Sequence, residues 1–157
     1  MSPADESDGP DGSERHRHWA TTLYNDTWRL MDQPDRTPDD DARMVHQAHA
    51  SAYHWLEIGK PENFARSHWQ CSRVYSVLDR AEPALYHARF SLDICQRYGI
   101  GDWDLAFAYE ALARASAVAG DEAETQRWMA EARRAGDDIT DADDRDQLLG
   151  DLATIGR

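Results

Sequence analysis

Apolar residues recur along this chain in steps of three and four, the period of a helix buried on one face. The clearest stripe is Phe64, His68, Cys71, Tyr75 and Leu78. Proline, glycine and acidic residues punctuate the pattern and divide it into seven helices. The first runs to about Gln33 on Trp19, Leu23, Leu30 and Met31, with Ser13 as its expected N-cap. Thr37 followed by Pro38 and three aspartates opens the second, which carries Val45, Ala48, Ala52 and Trp55 and stops at Gly59. Pro61 opens the third. The fourth holds Ala84, Leu85, Ala88, Leu92 and Cys95 and stops at Gly99. Asp102 is the expected cap of the fifth, on Leu105, Tyr109, Leu112, Ser116 and Ala119. The sixth carries Thr125, Trp128, Met129 and Ala132 and ends at Gly136; the last spans about Thr140–Ile155. No stretch alternates in the manner of a strand. The pattern predicts an all-α fold of antiparallel helix hairpins, with an acidic, disordered tail over residues 1–13 and one domain over 14–157.

The helices repeat. A shift of 41 superimposes Trp28 on Trp69, Arg73 on Arg114, and the break after Leu78 on the break after Ala119. It also superimposes His46, His87 and Trp128, and Ala50, Ser91 and Ala132. Three pairs and a closing helix would form a short stack in which each pair buries its face on the next. The residues His68, Cys71, Ser72, Tyr75, Ala84 and Ala88, and one period later Tyr109, Leu112, Ala113, Ser116, Thr125 and Met129, resemble the tetratricopeptide repeat. The period of 41 is similar to long-helix variants of that family.

The resemblance implies a concave groove lined by the first helix of each pair. It points to Asn25, Trp28 and Asp32, to Arg66, Trp69 and Arg73, and to Phe107, Glu110 and Arg114 as partner contacts. Physically, Arg73 and Arg114 stand on equivalent helices and could clamp a partner's carboxylate beside the tryptophans. The same spacing allows a different use, because Glu110 and Arg114 are four apart and can pair along one helix.

A second candidate site comes from counting residues outward from the turns. His49 and Cys71 each lie 11 residues from Lys60, His87 is at a similar level beyond the next turn, and His68 is one helical turn from Cys71. His49, His68, Cys71 and His87 are ligand types suited to zinc or iron, but a histidine in an apolar stripe is more often a hydrogen-bonded core residue, which is the favoured reading. His54, between Tyr53 and Trp55, has no acid or nucleophile at a fixed spacing. Phosphate loops, nucleophile elbows, HExxH and paired CxxC motifs are absent, and the aspartate runs lack the glycine and glutamate of a calcium loop.

Charge narrows the partners. The net charge is −13 over 157 residues, which disfavours nucleic acid and anionic membrane surfaces. No apolar run reaches membrane-spanning length, and a cytoplasmic location is expected. Cys71 and Cys95 differ in level by about 10 Å along their helices, too far for a disulfide. The reading that follows is a non-enzymatic module that binds a protein or peptide, with no cofactor, or that pairs with a second copy of itself. The alternative is a metal- or small-molecule-binding helical protein that uses the histidine-rich middle.

Overall fold

A computed structural model describes residues 10–156, and seven α-helices account for nearly all of them. They are α1 (Pro10–Met31), α2 (Pro38–Ile58), α3 (Pro61–Val77), α4 (Ala81–Tyr98), α5 (Asp102–Val118), α6 (Glu122–Gly136) and α7 (Ala142–Leu152). No strand is present among the described residues. The expected tail falls partly on residues 1–9, outside the described residues. Its last residues belong to α1, so Ser13 lies inside that helix and does not cap it. No helix among the described residues is long and apolar enough to cross a membrane.

Local chemistry sets the boundaries. Thr37 and Asp40 form a capping box: the Thr37 hydroxyl accepts from the Asp40 amide at 3.2 Å, and the Asp40 carboxylate accepts from the Thr37 amide at 2.9 Å. Asp121 and Asp141 cap α6 and α7 in the simpler way, each carboxylate accepting an amide three residues on. Asp102 departs from expectation. It is the first residue of α5; its Oδ1 accepts the Trp103 amide at 2.7 Å, and its Oδ2 accepts the Thr140 hydroxyl at 3.0 Å, tying the α6–α7 connection to α5.

The repeat is geometric as well as sequential. Helices α3 and α5 begin 41 residues apart, as do α4 and α6. The turns that follow α3 and α5 are the same turn. Asp79 and Gly120 both have positive φ, 59° and 75°, and the next amide returns to the carbonyl five residues back in each case.

Helices α1 and α2, α3 and α4, and α5 and α6 pack as hairpins, and each hairpin leans on the next through α2–α3 and α4–α5. Helix α3 also touches α5, and α7 closes the array against α5 and α6. Small residues let the helices approach. The Ser51 hydroxyl donates to the Ala20 carbonyl at 2.7 Å inside the first hairpin, and Ser91 donates to Ala65 at 2.9 Å inside the second. Along α1, α3 and α5 runs an aromatic seam. Trp69 sits between Trp28, Trp103 and Phe107, with ring centroids 5.3, 5.1 and 5.6 Å away.

Beside the seam lies a buried charge. Glu110 has no exposed surface, and both guanidiniums predicted from the repeat converge on it. Arg73 donates to its Oε1 at 3.2 Å, and Arg114 does so through Nε at 2.7 Å. Arg114 continues to the Asp151 carbonyl at 2.9 Å and the Thr154 hydroxyl at 3.0 Å, fastening α7. Burial raises the Glu110 pKa, and the two arginines oppose the shift. Glu110→Ala would remove the carboxylate that two half-buried cations share, leaving Arg73 with Asp151 at 3.7 Å and Arg114 with its α7 contacts, so it should cost about 3 kcal/mol of unfolding free energy, read from the urea midpoint. A loss below about 1 kcal/mol, the scale of an exposed ion pair, would contradict this account.

Candidate functional site

Two concave places stand out, one on each side of α3. The first is an open groove of about 470 Å³. Its floor comes from Tyr24 on α1, Arg66 and Ser67 on α3, and Trp103 on α5. Trp55 and Asn63 border it where α2 meets α3, and Asp144 and Gln147 on α7 form the opposite bank. Arg66 is held by Asp104 in a two-point fork, 2.7 and 2.9 Å, and lies over the Trp103 ring at 5.7 Å. The fork and burial fix the floor: the Tyr24 hydroxyl is pushed up to about 12 by desolvation and stays protonated.

The groove lies close to where the resemblance put it, but about one helical turn nearer the helix N-termini. Of the predicted contacts, only Arg66 lines it. Trp69, Phe107 and Glu110 are buried, because aromatic residues on neighbouring inner helices pack on one another and Glu110 is enclosed by its arginines. Trp28 is half-buried in the same seam, and Asn25 and Asp32 are exposed outside the lining. Arg73 and Arg114 border a separate hollow with Thr154, where Arg73 also bonds Glu110 and Arg114 bonds Glu110 and α7. Tyr24, Trp55, Asn63, Trp103 and Gln147 were not anticipated. The usable signal was spacing: Tyr24 and Trp103 each stand four residues before a predicted contact, and Asn63 three before.

The second place is a cavity of about 180 Å³ between α2, α3 and α4. Here the level count from the turns succeeds. His49, His68, Cys71 and His87 all line it, and one donor atom each from His49, Cys71 and His87 lies within 4.8 Å of the others. His68 joins through His87, with their Nδ1 atoms 3.0 Å apart. His49 Nε2 bonds the Tyr75 hydroxyl at 2.8 Å. The rings are clamped by stacking: Tyr75 lies parallel to His87 at 5.7 Å, and Phe90 covers His68 at 4.2 Å. Burial, reinforced by the neighbouring imidazoles, pushes His68 and His87 down to about 4 and lowers His49 as well. Burial pushes the Cys71 thiol up to about 12. All four groups are therefore neutral at pH 7. Elsewhere, His54 meets His16 across α1 and α2, with their Nδ1 atoms 2.9 Å apart.

The depressed histidines set a pH dependence. In the unfolded chain these imidazoles titrate near 6.5, and in the fold His68 and His87 titrate near 4. The unfolded state binds more protons between those values. Their contribution to stability is thus complete above pH 6.5 and is lost as pH falls towards 4. Near pH 5, unfolding should take up about two protons at these sites. With chelator present, a His68→Gln/His87→Gln variant should show a flatter slope of stability against pH by that amount. An unchanged slope would refute the burial of neutral imidazoles.

Compared with known proteins, the chain matches no protein-family model, no curated protein and no solved structure.

Proposed function

We propose that this protein is a helical-repeat recognition module, of the tetratricopeptide type, that holds a peptide or protein segment in the groove between α1, α3, α5 and α7. The observation that carries the reading is the groove itself. It is an open channel of about 470 Å³ whose surface mixes aromatic rings with amide, hydroxyl and carboxylate groups. Aromatic faces supply contact area at little entropic cost, and the polar groups around them orient a bound backbone.

Its electrostatics differ from the clamp expected for Arg73 and Arg114. Arg66 is neutralised by Asp104, and Asp144 adds a carboxylate on the far bank. The groove therefore suits a neutral or basic segment carrying an apolar anchor, in keeping with the net charge of −13. The mechanism is recognition without chemistry, in which a partner side chain rests against Trp55 and Trp103 and the main chain bonds to Asn63 and Gln147.

Selection of a random peptide library on the immobilised protein should enrich neutral and basic sequences. Trp55→Ala, which removes an anchor, and Gln147→Trp, which fills the channel, should each weaken the selected peptides about tenfold. Trp19→Ala, on an exposed side chain outside the groove, should leave them unchanged. If nothing is enriched, or if the enriched peptides bind the Trp55→Ala/Gln147→Trp double variant as well as wild type, the proposal fails.

A further inference from the structure

We propose that His49, Cys71 and His87 bind one divalent ion of the zinc class, with His68 as a positioning residue that holds His87 in the ligating orientation. The site is separate from the groove, and the proposal stands independently of the reading above.

Four observations converge. Three elements, α2, α3 and α4, each contribute one donor, and the donor atoms already lie within 4.8 Å of one another. Nitrogens on a tetrahedral ion with bonds of about 2.0–2.1 Å are roughly 3.3 Å apart, so small side-chain rotations would complete the set. Two imidazoles and a thiolate are a ligand set that zinc or cobalt accepts and that calcium and magnesium do not. Metal-bound histidines characteristically use their second nitrogen on an orienting partner, and both imidazoles have one here. His49 has the Tyr75 hydroxyl at 2.8 Å, and His87 has His68 at 3.0 Å. Finally, Cys71 is buried while His49 is exposed, so an ion has a way in and the thiolate is shielded once it is bound.

Burial keeps the imidazoles neutral, which leaves their lone pairs free to ligate. Cys71 is protonated in the metal-free protein. As the sulfur–metal bond forms, the thiol proton passes to solvent, so one proton is released for each ion bound and affinity rises with pH. The bound unit adds one net positive charge, the ion's two less the thiolate's one, to a protein of charge −13. The fourth coordination position falls to water.

The test uses the untagged full chain titrated with cobalt(II), whose spectrum reports its ligands. The expected result is saturation at one ion per chain, with a thiolate-to-cobalt charge-transfer band that zinc(II) abolishes by displacement. Cys71→Ser removes that band. His49→Gln, on an exposed residue that tolerates change, and His87→Gln each abolish one-to-one binding. His68→Gln retains the band but weakens affinity about 10–100-fold, as loss of an orienting partner does. His54→Gln, which breaks the comparable imidazole pair with His16, changes nothing. Circular dichroism monitors folding of each variant, and zinc should raise the melting temperature of wild type but not of His49→Gln. Absence of the thiolate band in wild type overturns the proposal. So does binding that survives His49→Gln and His87→Gln, or that is lost with His54→Gln.

Discussion

A carboxylate with no exposed surface constrains the inner layer of this fold. Glu110 is acceptable in the interior only because two guanidiniums reach it from different helices, Arg73 from α3 and Arg114 from its own α5. Pairing at this depth ties the longitudinal register of α3 to α5, since sliding either helix by one turn would take Arg73 away from Glu110 and leave the carboxylate to Arg114. Arg114 carries the constraint outward to the Asp151 carbonyl and Thr154, so the closing helix is docked by the same network. The repeat explains how the arrangement is built. Arg73 and Arg114 are equivalent positions one period apart, and Glu110 occupies the place that Trp69 holds in the preceding unit. One repeat uses the position for the aromatic seam, and the next uses it for charge. These arginines, attractive as ligand contacts in the sequence, are thereby drawn into the Glu110 network.

This bears on what the sequence could disclose. Helices, turns and hairpin pairing follow from local rules: a proline or threonine start, a glycine or aspartate turn, a stripe with steps of three and four. Those rules hold wherever the chain continues them, and seven helices resulted. The His49, Cys71 and His87 grouping was also legible, because residues equidistant from a short turn must lie at one level of a hairpin. The groove was not legible to the same degree. Which of two aromatic residues on one helix face packs inward depends on the depth of contact with a neighbouring helix some 40 residues away. Trp69 filled that space, and so Tyr24 and Trp103, one turn earlier on the adjoining helices, were left to line the opening. Charge pairing was ambiguous for a similar reason. The i, i+4 relation of Glu110 and Arg114 was visible, but the third partner, Arg73, comes from a different repeat.

Helix α3 separates the two candidate sites and belongs to both. Asn63 and Arg66 face the groove, while His68, Cys71 and Tyr75 face the histidine cavity. Ser67 borders both, its hydroxyl turned back to the Asn63 carbonyl at 2.8 Å. A helix does this with closely spaced residues because a step of one position rotates the side chain by about 100°. The two candidate sites are thus two faces of one helix, whose far end is tied to α5 by Arg73.

The shared helix also bears on how the two candidate sites could be coupled. The rings that line the histidine cavity are clamped by Tyr75 and Phe90, and the groove floor is clamped by the Arg66–Asp104 fork. A ligand that moved α3 as a body would have to break the contact of Arg73 with Glu110. Glu110 would keep Arg114 on its own helix, so the cost would be the loss of one of its two guanidinium partners. The two candidate sites thus lie side by side on α3, with Ser67 on the border of both.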